Sequence, residues 1–187
     1  MSNYFKYFPK TVHTQRSAVA ITKRAVLLEQ LAAEPFLFLP YTVTHDDRPE
    51  HIAEFYYGSQ NLVWLVYFAN NIIDMYSQWP LAPNDFDDDF KKRYETMSGT
   101  TGYAVIAWGL NEAITDNIVH YQNIEDLDLK ITPFTYDNDE TLVSGEWRAI
   151  RYYEYENVLN DNKRNIHLID NRYANKFENE LKVLMNE

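Results

Sequence analysis

The sequence predicts an α+β fold, with a small strand–helix–helix–strand core at residues 39–82 and helical segments on either side. Tyr41-Thr42-Val43 alternates in hydropathy as a strand does. Two helical patterns follow, and Gly58 separates them as a left-handed stop. An Asn-rich turn then leads into a second short extended stretch. The predicted organisation is an N-terminal docking segment and helix (1–38), the core module (39–82), and a helical and mixed C-terminal region (83–187).

A capping pattern marks the first core helix. Asp47 stands three residues before Glu50, with Pro49 in the first turn. In such a capping box the Asp side chain accepts a free helix N–H, and the Glu side chain reaches back. The sequence therefore predicts a helix start at Asp47. The apolar stripe that follows falls at i, i+3 and i+4: Ile52, Phe55 and Tyr56.

The second core helix, from Leu62 to about Asn70 with Ser59 or Asn61 as its cap, has no polar face. A helix that is apolar all round must be buried all round. We assign one face to the core of the module: Leu62, Leu65, Val66 and Ala69. Trp64 and Tyr67 lie on another face, which the rest of the chain or a partner protein must cover.

The remaining elements are predicted from shorter patterns. Helices are expected at 15–34, 85–94, 103–114 and 152–160, and after Asp170, where Tyr173, Phe177, Leu181 and Leu184 recur at helical spacing. Strands are expected at 118–121, 129–132 and 166–169, and the closing strand of the core is expected near Trp79-Pro80-Leu81.

Composition limits the class of function. The formal net charge is −11, and the longest basic run is Lys91-Lys92-Arg93, so a phosphate backbone is an unsuitable partner. The chain has no cysteine, which excludes disulfides and thiolate metal sites. No apolar run approaches the roughly 18 residues of a membrane helix, and the N-terminus lacks a signal-peptide pattern. We therefore expect no nucleic acid, no membrane insertion, and synthesis in the cytoplasm.

Aromatic residues are abundant, with 4 Trp, 15 Tyr and 10 Phe. Tyrosine suits protein interfaces as well as cores, so a Tyr-rich core is the alternative explanation. The N-terminal strip is too apolar for a solvated tail, and we expect it to dock on a partner. The candidate protein-interface residues are Tyr4, Phe5, Tyr7, Phe8, Pro9, Trp64, Tyr67 and Trp79.

Patterns typical of enzymes and metal sites fail on inspection. His45 and His51 lack the i, i+4 spacing of a zinc helix. The Asp85, Asp87, Asp89 series has Phe90 where a calcium loop needs Gly. No GxSxG motif exists, and nothing singles out one carboxylate pair for glycoside cleavage. We expect no catalytic residue, no cofactor and no metal.

Several segments of the core resemble a LysM module, which folds βααβ: Tyr41-Thr42-Val43, Asp46-Asp47, Ile52-Ala53 to Tyr57-Gly58, and Asn70-Asn71-Ile72-Ile73-Asp74. A larger set resembles the LysM-containing baseplate wedge subunit of contractile-tailed, T-even-like phages: Arg48-Pro49-Glu50, Tyr57-Gly58, Leu62-Val63-Trp64, Asn70-Asn71, Asp74 and Trp79-Pro80. Both flanks agree, through Tyr4 to Pro9 and through Tyr155-Glu156, Leu159-Asn160 and Lys163-Arg164-x-Ile166.

This resemblance implies a structural protein of the virion tail baseplate, assembled in the host cytoplasm and without enzymatic activity. It implies that the subunit joins wedge proteins to one another and to the central hub, in six copies per baseplate. The apolar second helix departs from a sugar-binding LysM, which keeps an open groove between its loops. A peptidoglycan-binding LysM protein is the principal alternative, and a lysozyme-like tail enzyme is a third.

Overall fold

The chain folds into two units, and the sequence of the second is inserted within the sequence of the first. The computed structural model describes residues 8–13, 16–19, 36–44 and 47–186. The described residues up to Trp79 form unit 1 together with those from Arg164 onward. Unit 2 is the continuous stretch Pro80–Lys163. The predicted division at residues 38 and 82 stays a prediction.

The described residues of unit 1 form two pairs of antiparallel strands and four helices. The strands are β1 (Lys10–His13), β2 (Arg16–Val19), β3 (Phe38–Thr42) and β7 (Asn165–Ile169), and β1 pairs with β2 while β3 pairs with β7. The helices are α1 (Pro49–Tyr57), α2 (Val63–Ala69), α3 (Met75–Gln78) and α8 (Asn171–Asn186), and a 3₁₀ turn, Gln60–Leu62, leads into α2.

Unit 2 combines helices with a three-stranded antiparallel sheet. Its helices are α4 (Pro83–Ser98), α5 (Tyr103–Leu110), α6 (Pro133–Asn138) and α7 (Tyr152–Asn162). Its strands are β4 (Ile118–Asn123), β5 (Lys130–Ile131) and β6 (Trp147–Arg151), in the order β5-β4-β6, with a 3₁₀ turn at Ser144–Glu146. The chain is therefore a mixed α and β protein, as the sequence predicts.

The core of unit 1 lies where α1 and α2 pack with β7, β3 and α8. Its most deeply buried side chains include Leu37, Leu65, Val66 and Ile169. Of the core face assigned to the second helix, Leu65 and Val66 are fully buried and Leu62 and Ala69 are partly buried, but Val63 and Trp64 outside that face are buried as well. The Tyr57 hydroxyl donates to the carbonyl of Ile169 at 3.0 Å, which ties α1 to the end of β7. Burial raises the pKa of Tyr57, so the hydroxyl stays protonated and able to donate this bond.

The predicted closing strand near Trp79-Pro80-Leu81 is wrong. These residues lie between α3 and α4 in non-strand conformation. β3 pairs instead with β7, in the register Pro40 with His167. The prediction failed because a strand can find its partner anywhere along the chain, and local hydropathy carries no record of that pairing.

The predicted capping box at Asp47 is also wrong. The residue before α1 is Arg48, in extended conformation and without a side-chain cap, while Pro49 takes the first helical position. The Asp47 carboxylate accepts the Thr44 N–H at 2.9 Å and the Tyr41 hydroxyl at 3.2 Å. The Thr44 hydrogen bond is the main reason why the pKa of Asp47 lies below its usual value. Asp47 therefore stabilises the turn after β3 rather than the helix.

Two further predictions about apolar segments are corrected. In α1 the buried side chains are Pro49, Ile52, Ala53 and Tyr57, whereas Phe55 is 87% exposed. Only Ile52 of the predicted apolar stripe is fully buried, and the buried face of α1 continues through Ala53 and Tyr57 instead of Phe55 and Tyr56. The helix predicted at 15–34 fails at its start, because Arg16–Val19 forms β2; residues 20–34 lie outside the described residues.

Other elements match their predictions closely. Gly58 ends α1 with φ 74°, and Ser59 accepts the Asn61 N–H at the next turn. Helix α7 and strand β7 lie where the sequence placed them, and Asp170 accepts the Arg172 N–H at the start of α8. Helix α5 ends at Leu110, four residues earlier than predicted.

The core of unit 2 is built mainly from aromatic rings. Trp108 and Tyr152 stack with centroids 5.7 Å apart, and Phe90 lies 4.6 Å from Tyr94 and 5.1 Å from Tyr153. The polar ends of these rings reach acids: Tyr94 donates to Glu156 at 2.6 Å, and Tyr153 donates to Asp87 at 2.7 Å. Much of the aromatic content in this unit therefore serves the core.

Candidate protein-interface residues

The N-terminal strip was predicted to dock on a partner, and the structure describes only its end. Phe8 is buried in the core of unit 1, and Pro9 is half-buried. Tyr4, Phe5 and Tyr7 lie outside the described residues. Phe8 therefore already has its apolar environment within this chain.

Trp64 was predicted to lie on a face of α2 that the rest of the chain or a partner covers. Its side chain is 6% exposed and belongs to the core of unit 1. Its ring lies 6.2 Å from that of Phe68, which in turn lies 5.9 Å from Phe177 of α8. The chain itself buries Trp64, which is the first of the two predicted alternatives and leaves little of its ring surface for a partner.

Tyr67 and Trp79 are half-buried at the border of the same core. The Tyr67 hydroxyl points to Met75 Sδ at 3.9 Å, and burial together with Glu50 raises the pKa of Tyr67 to about 12. The Trp79 indole N–H donates to the carbonyl of Asp47 at 3.2 Å. Each residue therefore has an internal contact and retains part of its ring surface.

A surface that the sequence did not predict lies beside Tyr67. Ile73 and Met75 are exposed, and Tyr76 is 85% exposed. Together with Tyr67 they form what we call the 73–76 surface. The available signal was three large apolar residues in a turn and at the start of a very short helix, where polar residues are usual.

Hydrogen bonds fix the backbone of the 73–76 surface. Gln78 Oε1 accepts the N–H groups of Ile73 at 2.7 Å and Asp74 at 2.8 Å. Asp74 accepts the Ser77 hydroxyl at 2.6 Å and the Tyr76 N–H at 3.0 Å. These bonds lower the pKa of Asp74, the Ser77 hydroxyl contributing most. The exposed side chains are therefore held on an ordered turn, which lowers the entropy lost when a partner binds.

The described part of the chain offers no group of three or more His, Asp or Glu residues that could hold a metal ion. Within the same ranges, every helix is too short or too polar to cross a bilayer. What the surface does present is large apolar side chains on fixed turns. Exposed apolar side chains of this kind are typical of surfaces that contact other proteins.

Comparison with known protein families shows the family to which the chain belongs. The family described as base plate wedge protein 53 matches residues 3–184, so the chain belongs to this family of phage proteins. No curated protein matches the chain. The protein is thus a structural component of the phage tail base plate, where it contacts other base plate proteins.

Proposed function

We propose that the protein joins base plate wedge proteins to one another and to the central hub, in six copies per base plate. Membership of the wedge family over nearly the whole chain is the observation that carries this proposal. We further propose that it has no enzymatic activity and that the tail is contractile. Assembly takes place in the host cytoplasm before the virion is complete.

The 73–76 surface is our leading candidate for a wedge contact in unit 1. Ile73 and Tyr76 combine large exposed apolar area with a backbone that is already ordered. Aromatic residues in such settings are frequent hot spots of protein interfaces. Tyr67 and Trp79 are further candidates for interface residues of unit 1, and Tyr4, Phe5, Tyr7 and Pro9 stay predictions.

We also propose that unit 1 contains a LysM-like module whose closing strand is β7. Four elements of unit 1, β3, α1, α2 and β7, occur in the order βααβ, with the one-turn helix α3 between α2 and β7, and the two strands pair antiparallel. Unit 2 then stands as an insertion between α3 and the closing strand. This arrangement supports the LysM resemblance, although the closing strand differs from the predicted one.

Assembly can be tested with base plate wedges from a phage mutant that lacks this subunit. Purified full-length protein should enter such wedges, and the variant Ile73→Ala/Tyr76→Ala should enter them at least tenfold less well. Tyr103→Ala is the matched control, because Tyr103 is similarly exposed but belongs to unit 2. Full incorporation of the double variant would remove the 73–76 surface from the proposal.

Binding to peptidoglycan is the alternative that the LysM resemblance raises. We expect none, because α2 is apolar and its central residues are buried. The protein should remain in the supernatant when purified sacculi are sedimented. Saturable co-sedimentation that chitooligosaccharides compete away would contradict this expectation.

A further inference from the structure

The turn between β4 and β5 has an unusual composition. Residues 124–129, which we call the 124–129 loop, read Ile-Glu-Asp-Leu-Asp-Leu. Half of them are large aliphatic residues, and all three aliphatic side chains are exposed, with Leu127 at 63%. Exposed hairpin tips normally carry Gly, Asn, Asp or Ser because these residues suit tight turns and water. An aliphatic cluster at this position suggests a surface that another molecule covers.

The loop is held in one conformation by hydrogen bonds from its neighbours. Asn123 Oδ1 accepts the N–H groups of Glu125 and Asp126, each at 2.9 Å. Gln122 Nε2 donates to the carbonyl of Leu127 at 2.6 Å. The Ile124 N–H donates to the carbonyl of Glu146 at 2.9 Å, which fixes the loop to the turn before β6. Its aliphatic side chains are therefore presented with little entropy left to lose on binding.

The segment that contains the loop is strongly acidic in sequence, and the nearest base of the neighbouring strand is Arg148, opposite Gln122. Residues 124–146 contain seven carboxylates and a single base, Lys130. The carboxylates are Glu125, Asp126, Asp128, Asp137, Asp139, Glu140 and Glu146. Helix α6, which carries the exposed Phe134, is attached to this sheet through Tyr136, whose ring stacks on Tyr121 at 3.8 Å. The aliphatic tip thus lies in an acidic region with one further exposed aromatic residue on the adjoining helix.

We propose that the 124–129 loop is a docking element for a partner protein that presents an apolar pocket with a basic rim. This inference rests on the proposed base plate function and assigns a second contact to unit 2. Leu127 enters the pocket, and Glu125 and Asp128 face the basic groups around it. The aliphatic contacts supply affinity, while the charges steer encounter and select the partner.

The charge of the loop argues against other occupants. A nucleic-acid backbone and an anionic lipid surface are both negative and would be repelled. A second copy of this chain also has a net charge of −11, so self-association through this loop would bring like charges together. A basic protein surface is therefore the partner whose charge complements that of the loop.

The test uses full-length protein and wedges purified from a phage mutant lacking this subunit, with binding rates measured at several salt concentrations. Glu125→Lys/Asp128→Lys should lower the association rate at low salt by about tenfold or more and weaken its salt dependence. Leu127→Ala should act mainly by raising the dissociation rate, again by about tenfold. Neither variant should change the melting temperature, because the altered side chains are exposed.

Matched controls carry the same changes at exposed sites elsewhere in unit 2. Glu95→Lys/Glu112→Lys changes the net charge by the same amount, and Leu110→Ala removes a comparable exposed side chain. Both controls should bind as the wild type does. Equal binding by the loop variants and the controls would overturn the inference, and so would a dimer of the wild type that Leu127→Ala dissociates. Failure of the wild type itself to bind wedges would instead refute the proposed function.

Discussion

Asn70 pairs with the main chain of His167 as a strand residue would. The His167 N–H donates to Asn70 Oδ1 at 2.7 Å, and Asn70 Nδ2 donates to the His167 carbonyl at 2.8 Å. This side chain therefore satisfies the outer edge of β7, which a further strand would otherwise have to pair. Asn160 does the same for Leu81 in unit 2, with bonds of 2.8 and 3.0 Å.

The two asparagines should differ in their contribution to stability. Asn160 is 4% exposed, whereas the bonds between Asn70 and His167 lie at the surface. Asn160→Ala should cost about 2–3 kcal/mol, because both hydrogen bonds between the buried Asn160 side chain and the Leu81 main chain are lost. Asn70→Ala should cost about 1 kcal/mol, since water can replace the lost bonds. Chemical denaturation measures both changes, and equal costs would show that burial does not control them.

The residue after Asn70 has a separate backbone role. Asn71 has φ 54°, and it is the one non-glycine residue with positive φ among the described residues. The N–H of Ile72 donates to Tyr67 and that of Asn71 to Phe68, which closes the end of α2 as a Schellman motif. Asn71→Gly should leave the free energy of unfolding nearly unchanged, and Asn71→Val should cost about 1–2 kcal/mol.

The control for this pair is Asn175→Val, on the exposed side of α8. There the helix propensity hardly changes, because Asn and Val are about equal, and a change of at most a few tenths of a kcal/mol is expected. If Asn175→Val and Asn71→Val destabilise the protein equally, the left-handed conformation of Asn71 does not explain the effect.

Gly109 lies where α5 closely approaches neighbouring rings. A Cβ added there would lie 2.7 Å from Cζ of Phe90 and 3.2 Å from Cβ of Tyr153. Phe90 is fully buried and cannot move aside easily. Gly109→Ala should therefore cost about 1–2 kcal/mol, even though Ala favours helix, because overpacking outweighs the propensity gain. Gly145→Ala is the control, since open space surrounds that glycine. Thermal unfolding measures the stability of both variants, and only Gly109→Ala should be destabilised.

Truncation of the α2 core should affect folding before assembly. Leu65 and Trp64 are both buried within the chain, so Leu65→Ala should cost about 2–5 kcal/mol and Trp64→Ala about 3–5 kcal/mol. Calorimetry on the isolated protein measures these losses. A Trp64→Ala protein with an unchanged melting temperature would restore Trp64 as an interface candidate.

Glu156 should make unit 2 sensitive to acid. Burial raises the pKa of this carboxyl, but hydrogen bonds from Arg93 and Tyr94, with the charge of Arg93, outweigh it and leave the pKa below its usual value. A depressed folded pKa means that the stabilisation is present above the unfolded pKa and is lost as pH falls through the folded one. Wild type should thus lose more stability than Glu156→Gln between about pH 5 and pH 3. Parallel stability curves for the two proteins would contradict this assignment.

Local patterns predicted much of the fold and little of the candidate site. Gly58, the apolar face of α2 and the span of α7 follow from features within a few residues, and they match the structure. The pairing of β3 with β7 depends on contacts between distant parts of the chain. Asp47 fits a capping box, yet its carboxylate binds the Thr44 N–H instead, because the preceding turn competes for the same oxygen.

The exposed surfaces were harder to predict because a hydropathy pattern does not say which apolar residues find neighbours. Trp64 and Phe8 were expected at an interface and are buried in the chain itself. Ile73 and Leu127 were overlooked and are exposed. The position of both residues in turns was a usable signal, because large apolar side chains are unusual in exposed turns.

Unit 1 meets unit 2 at Trp79 and at Arg164, and both residues are hydrogen-bonded to one short segment of unit 1. The Arg164 carbonyl accepts the Val43 N–H at 2.8 Å, and the Trp79 indole donates to Asp47. Asp47 is the fourth residue after Val43, so the two lie at most about 14 Å apart. A change in the length of unit 2 therefore need not strain unit 1, because unit 1 holds both ends of the insertion itself.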